Sequence, residues 1–130
     1  MTLFEIVALY VALNSLLLLF LSYRVGQMRM KAKVSLGDGG NNQLQARISA
    51  HGNYTEYAPM ALIGLFIIAS LGAAPIALHI FGAGFLIARA LHASGMEGKN
   101  AIGKGRMIGM LGTIATLIGQ AGYILFLIIT

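Results

Sequence analysis

Three long stretches of the sequence carry no charged side chain. They cover residues 6–23, 57–88 and 107–130, which is 18, 32 and 24 residues. An α-helix needs about 20 residues, at about 1.5 Å each, to cross the hydrocarbon core of a bilayer. Apolar residues make up 58% of the chain and charged residues 10%, against about 45–50% and about 25% in soluble domains. The sequence therefore predicts an all-α integral membrane protein.

The middle stretch is too long for one helix, and Leu-Gly-Ala-Ala-Pro interrupts it at residues 71–75. Glycine suits a helix C-terminus, and proline cannot continue the helix that precedes it. A tight hairpin at this point predicts a bundle of four transmembrane helices in a single domain, residues 1–130. The predicted helices cover about residues 3–24, 46–71, 75–96 and 105–128.

The basic side chains are distributed unevenly between the predicted connections. The first connection contains Arg24, Arg29, Lys31, Lys33 and Arg47, and the third contains Lys99, Lys104 and Arg106. The N-terminus, the turn at 71–75 and the C-terminus contain none. Because cytoplasmic loops carry the excess of lysine and arginine, we predict that connections one and three are cytoplasmic and that both termini lie outside.

The net charge of +5 does not indicate a nucleic-acid partner. The basic residues cluster beside apolar stretches, where they set topology and contact anionic lipid head groups. No basic run is interleaved with aromatic residues, as in single-strand binders. The chain has no cysteine, which excludes disulfides, cysteine-based zinc sites and a catalytic thiol of its own. We predict membrane lipids as partners and no metal site.

Polar side chains are concentrated at the predicted cytoplasmic ends of the second and third helices. An ionisable group in a membrane helix costs a few kcal/mol unless it is paired or faces a cavity, so each is a candidate site residue. At about 100° per residue, the second helix has two polar stripes on opposite faces. The stripes are Ser49, Asn53 and Glu56 on one face and Arg47, His51 and Tyr54 on the other. We expect them to contact two different neighbours.

Two interpretations of this polar cluster stay open on the residues alone. In the first, Glu56 forms an ion pair with Arg89 or Arg106, and Asn53 joins two helices by a hydrogen bond. In the second, the cluster binds a ligand, and Arg89 and His92, three residues apart, share the helix face that lies against it.

Residues 47–59 resemble the signature of the membrane-associated proteins in eicosanoid and glutathione metabolism, the MAPEG family. That signature has an asparagine, an acidic residue three positions later and a proline three beyond that, here Asn53, Glu56 and Pro59. Residues 26–29, Gly-Gln-Met-Arg, resemble the basic end of the family's first helix. The sequences at 37–40 and 51–53 most resemble a bacterial branch of this family. This resemblance implies that the protein lies in a bacterial inner membrane.

The resemblance implies a homotrimer that binds glutathione, as cosubstrate, between subunits near the cytoplasmic face. It further implies a glutathione transferase or peroxidase of the microsomal type, acting on lipophilic small-molecule electrophiles. The residues that it implies for binding are Arg29, Asn53, Glu56, Tyr57, Arg89 and His92. Arg106 is the expected catalytic residue, because an arginine beside the thiol would lower its pKa from about 8.5 and make thiolate the majority form near pH 7.

Two positions differ from the family's catalytic branches, which carry an arginine four residues before the asparagine and a tyrosine seven residues after the third-helix arginine. Here these positions are Ser49 and Met96. The alternative function is therefore a non-catalytic membrane protein of the same fold that binds an anionic lipid or lipid-like ligand. A small four-helix exporter would require a mid-membrane carboxylate, whereas Glu5 and Glu56 are predicted near helix ends.

Overall fold

The structure is a computed structural model, and it describes residues 1–97 and 103–130. The described residues form four α-helices and no strand. The helices are α1 (Leu3–Ala32), α2 (Asn42–Ser70), α3 (Pro75–Ser94) and α4 (Lys104–Ile129). The predicted all-α fold with four helices is confirmed. Lys99, one of the cations predicted to face the cytoplasm, lies outside the described residues.

The first helix is longer than predicted, and the connection that follows it is shorter. We placed the end of α1 near residue 24 because charged residues begin there, but the helix continues to Ala32. Residues 27–31, Gln-Met-Arg-Met-Lys, are all good helix formers, so the helix continues beyond the apolar segment. It ends where Lys33 adopts the left-handed conformation, with φ of 56°. The predicted connection at 25–45 is therefore wrong, and only residues 33–41 connect α1 to α2.

Short-range polar contacts define where α1 and α2 begin. The Thr2 hydroxyl accepts from the Glu5 backbone N–H at 3.2 Å, and the Glu5 carboxylate accepts from the Thr2 N–H at 2.7 Å. This reciprocal pair is a capping box. At α2, the Asn41 side chain accepts from the N–H groups of Gln43 and Leu44 at 3.0 and 2.9 Å. The asparagine therefore starts α2 four residues earlier than predicted.

The turn between α2 and α3 matches the predicted hairpin. Helix α2 ends at Ser70, Gly72 has φ of +74°, and Pro75 is the first residue of α3. A positive φ favours glycine, and proline is well suited to the first turn of a helix because no N–H is needed there.

The helices pack as two antiparallel pairs, α1 with α2 and α3 with α4, and α2 also contacts both α3 and α4. Several helix crossings depend on glycine. A Cβ at Gly82 would overlap the ring of Tyr10, and one at Gly109 would overlap the α3 backbone at His92 and Ala88. At Gly122, by contrast, a Cβ would meet nothing within 4 Å. Most of the glycines inside the helices are therefore packed against neighbouring helices of the same subunit.

Three of the helices, α1, α3 and α4, are long and apolar enough to cross a membrane. Helix α2 is equally long, but its N-terminal half contains the polar stripes. Large apolar side chains cover the outside of the bundle, and only 11% of the residues in the most apolar part of α4 are buried. A surface of this kind is stable in lipid, because the hydrocarbon tails around the bundle are as apolar as these side chains.

Candidate functional site

The guanidinium of Arg89 lies at the centre of the polar cluster and is only 1% exposed. It donates to the Asn53 side-chain oxygen at 2.8 Å and to the Thr113 hydroxyl at 3.3 Å. Its carbon lies 5.8 Å from the centre of the Tyr57 ring. One buried cation on α3 therefore contacts both α2 and α4 and positions the side chains around it.

Arg89 also determines which nitrogen of the His92 imidazole carries the proton. The Nη2 atom of Arg89 lies 3.2 Å from Nδ1 of His92. A guanidinium can only donate hydrogen bonds, so Nδ1 accepts this one. The imidazole is consequently neutral and carries its proton on Nε2, which makes it a hydrogen-bond donor at that atom.

Beside Arg89 lies an open pocket of about 380 Å³ between α2, α3 and α4, which we call the candidate pocket. Its lining residues are Ile48, Ser49, Gly52, Asn53, Glu56, His92, Met96 and Arg106. The predicted stripe of Ser49, Asn53 and Glu56 thus faces this pocket. Asn53, Glu56, His92 and Arg106, which are far apart in sequence, all line this one pocket.

A second pocket, of about 410 Å³, adjoins the first and shares Asn53, His92 and Arg106 with it. Its other lining residues are Gly103, Met107, Met110 and Leu111, so we call it the apolar side pocket. A polar pocket and an apolar pocket therefore meet at Arg106.

Glycines just after α3 and at the start of α4 bring Arg106 to this position. A Cβ at Gly95 would overlap the backbone nitrogen of Arg106, and a Cβ at Gly105 would lie 2.8 Å from the Leu91 carbonyl oxygen. With glycine at both positions, the start of α4 lies directly against the end of α3. Arg106 therefore lies beside His92 at the rim of the pocket.

The first interpretation of the cluster contained two contacts, and these have different outcomes. The prediction that Asn53 joins two helices is confirmed by its hydrogen bond with Arg89. The predicted ion pair between Glu56 and Arg89 is wrong, because the Arg89 guanidinium donates to Asn53 and Thr113 and no carboxylate of the described residues lies within ion-pair distance of it. The alternative pair of Glu56 with Arg106 stays a prediction. Glu56 is exposed at the candidate pocket.

The remaining predicted binding residues lie in three different environments. Tyr57 lies beneath the Arg89 guanidinium, and Arg89 itself is enclosed behind Asn53. Arg29 lies apart from the candidate pocket, because its guanidinium donates to the carbonyl oxygens of Ser35 and Gly37, at 3.4 and 2.7 Å. Within one subunit the structure therefore brings the α2, α3 and α4 residues together, but not Arg29.

The opposite polar stripe of α2 contacts α1 along its whole length. The two stripes therefore have different neighbours, as predicted. Arg47 donates to the Arg24 carbonyl at 3.1 Å, and His51 lies 2.9 Å from the Ser22 hydroxyl. The Tyr54 hydroxyl donates to the Asn14 side chain at 3.1 Å. Asn14, which is 1% exposed, was not among the predicted site residues. The signal for it was present, since Asn14 is an amide within the first charge-free stretch.

Within the described residues, no group of three histidine, aspartate or glutamate side chains lies close enough to bind a metal ion. The polar groups that line the candidate pocket are one arginine, one histidine, one amide and one hydroxyl, with a single carboxylate, and the Arg89 guanidinium lies directly behind Asn53. This set has far more hydrogen-bond donors than acceptors, so it suits an anionic organic ligand.

The fold and the site define an integral membrane protein of four helices with a cationic pocket near one end of the bundle. Residues 7–126 match the MAPEG family, and the chain belongs to it. The chain is 39% identical over 90 residues to the inner membrane protein YecN of Escherichia coli strain K12, and likewise to that of strain O6:H1. The matched region is 69% of this chain and 69% of each relative. No solved structure matches the chain significantly.

Proposed function

We propose that the protein binds glutathione in the candidate pocket and joins it through its sulfur to lipophilic electrophiles, or uses it to reduce lipophilic peroxides. The observation that supports this proposal is the convergence of Asn53, Glu56, His92 and Arg106 on one pocket beside the buried Arg89. Membership of the MAPEG family supports it further, because glutathione-dependent chemistry is a property of that family.

The pocket is chemically complementary to glutathione. The tripeptide has two carboxylates, which suit guanidinium and imidazole N–H donors, and one ammonium, which suits the carboxylate of Glu56. Arg89 would act from behind the pocket, because its bonds to Asn53 and His92 orient both side chains. Tyr57 would support Arg89 through its ring face.

Arg106 is the proposed catalytic residue, because a cation beside the sulfur favours the thiolate over the thiol. The thiolate would attack an electrophilic carbon, form the carbon–sulfur bond and displace a leaving group. In the peroxidase reaction, two glutathione molecules would reduce a hydroperoxide to an alcohol and water and form one disulfide. Either substrate would enter through the apolar side pocket, where Met107, Met110 and Leu111 adjoin Arg106.

Assembly belongs to the same proposal. We infer a homotrimer in a bacterial inner membrane, since MAPEG members are trimers and the E. coli relative is named as an inner membrane protein. Both pockets are open in the single subunit, so a neighbouring subunit would complete the walls. The proposed glutathione contact of Arg29 would then be made across a subunit interface.

The direct test is calorimetry of the detergent-solubilised protein with glutathione. Wild type is expected to release heat, and Glu56→Ala is expected to weaken binding by about 1.5–3 kcal/mol, the scale of a charge-assisted hydrogen bond. Arg106→Ala is expected to abolish the thiolate absorbance near 240 nm that bound glutathione shows. Lys104→Ala removes a nearby exposed cation outside both pockets and is the matched control. Absence of heat with wild type would refute the proposal.

A second candidate function is the binding of an anionic lipid or lipid-like molecule without catalysis. The apolar side pocket favours it, because three apolar side chains lie beside the Arg106 guanidinium. Ser49 and Met96, at positions where the catalytic branches carry arginine and tyrosine, favour it as well. Calorimetry with a soluble short-chain fatty acid separates the two functions, since only this second function predicts tighter binding of the fatty acid than of glutathione.

A further inference from the structure

A separate pocket lies between α1 and α2, on the face of α2 opposite the candidate pocket. It measures about 410 Å³ and is open to the surroundings. Its lining residues are Gln27, Met28, Met30, Lys31, Gln43 and Arg47. We call it the α1–α2 pocket. Its lining contains two cations, two amides and no acidic side chain.

Not every cation in this region lines the α1–α2 pocket. Arg24 forms an ion pair with Glu97, and Arg29 binds the carbonyl oxygens of the loop that follows α1. Lys31, by contrast, is exposed and makes no hydrogen bond or ion pair within the described residues. The structure therefore leaves Lys31 and Arg47 as the cations that face the α1–α2 pocket.

Arg47 is held in place with part of its donor capacity in use. Its Nη1 atom donates to the Arg24 carbonyl at 3.1 Å and to the Gln27 side-chain oxygen at 3.4 Å. A guanidinium has five N–H donors in a rigid fork. The remaining N–H groups of Arg47 make no hydrogen bond to the described part of the chain, so they can bind two oxygens of one anion.

The position of the pocket along the membrane normal indicates which anion it binds. The charge-free part of α1 ends at Tyr23, and residues 3–23 span about 30 Å, the thickness of the hydrocarbon core. Residues 27–31 follow about 6–12 Å further along the axis, where the head-group layer lies. Lys31 and Arg47 are therefore at the level of lipid phosphates. Met30, which is 75% exposed, supplies an apolar surface beside them for the upper part of an acyl chain.

We propose that the α1–α2 pocket binds the phosphodiester of an anionic phospholipid. Arg47 binds two phosphate oxygens, the Lys31 ammonium neutralises the charge, and the side-chain amide of Gln43 donates to the head group. This site lies on the opposite face of α2 and shares no lining residue with the candidate pocket, so the proposal does not rest on glutathione binding there.

The experiment is native mass spectrometry of the protein released from nanodiscs that contain equal amounts of phosphatidylglycerol and phosphatidylcholine. Phosphatidylglycerol is expected to remain bound preferentially. Lys31→Gln and Arg47→Gln are each expected to weaken its binding about fivefold, the effect of one cation near an anionic lipid. Lys33→Gln removes the same charge two residues away, outside the pocket, and is expected to leave binding unchanged.

Three results would overturn the proposal: equal retention of both lipids by wild type, equal loss of binding in Lys33→Gln and Lys31→Gln, or inorganic phosphate binding to delipidated protein as tightly as the lipid does. Arg47 also donates hydrogen bonds to α1, so the lipid binding of Arg47→Gln is interpreted only if circular dichroism shows that this variant is folded. If Arg47→Gln does not fold, Lys31→Gln decides the question, because Lys31 is exposed and makes no contact on which folding depends.

Discussion

The Nη2 atom of Arg89 donates a hydrogen bond of 2.8 Å to the side-chain oxygen of Asn53, and this bond joins α3 to α2 inside the bundle. The same guanidinium reaches α4 through Thr113. Neutral oxygens, and no carboxylate among the described residues, bind this buried cation. Glu56 acts on this positive charge only from beyond ion-pair distance, so Arg89 favours an anion in the adjoining candidate pocket.

The first prediction concerns the contribution of Arg89 to stability. Arg89→Met removes hydrogen bonds to two helices and leaves the Asn53 side chain without its donor. We expect the free energy of unfolding to fall by about 2–4 kcal/mol, the combined scale of charged hydrogen bonds and a stranded polar group. Titration with a denaturing detergent, followed by circular dichroism, measures it. Lys33→Ala, at an exposed position, should stay within about 0.5 kcal/mol of wild type, and an equal loss in both variants would contradict the assignment.

The second prediction compares two glycines of α4. A Cβ at Gly109 would overlap the backbone of α3, whereas a Cβ at Gly122 meets nothing within 4 Å. Both Gly→Ala changes gain up to about 1 kcal/mol of helix propensity, but only the first forces two helices apart. We expect Gly109→Ala to be less stable than Gly122→Ala by about 2 kcal/mol or more. Equal unfolding free energies would show that α3 and α4 are not in close contact.

The third prediction concerns orientation in the membrane. The asymmetry of lysine and arginine predicts that the α1–α2 connection is cytoplasmic and that both termini lie outside. Because the chain has no cysteine, Asp38→Cys and Thr130→Cys each introduce a single reactive thiol. A membrane-impermeant maleimide applied to intact cells should label position 130 and not position 38. The reverse labelling pattern would invert the topology.

The fourth prediction concerns the assembly. The open walls of both pockets at Arg106 and the MAPEG family membership predict a cyclic homotrimer, and closed cyclic symmetry is the usual arrangement of identical subunits. Native mass spectrometry in several mild detergents should show a species of three times 13.8 kDa. A monomer or dimer in every detergent would exclude a glutathione site between subunits.

Parts of the site could be predicted from sequence because helical geometry is regular. The spacing of Ser49, Asn53 and Glu56 places them on one face of α2 whatever packs against it. The hydrogen-bond partners of Arg29, by contrast, do not follow from helical spacing. Arg29 was predicted in the connection after α1 but lies in the last turn of that helix. The carbonyl oxygens that bind it belong to a loop whose conformation depends on backbone angles at Lys33 and Gly37.

The sequence by itself determined the class of protein, the number of helices, the hairpin before Pro75 and the family motif from Asn53 to Pro59. These follow from local properties, namely hydropathy, proline geometry and residue spacing. The tertiary structure alone decided which polar groups meet. Arg89 bonds to Asn53 rather than pairing with Glu56, and Tyr54 bonds to Asn14. Which side chains become partners depends on how closely the helices approach one another. Gly109 permits a close approach because the α3 backbone at Ala88 and His92 lies against it, and the sequence does not show which backbone that is.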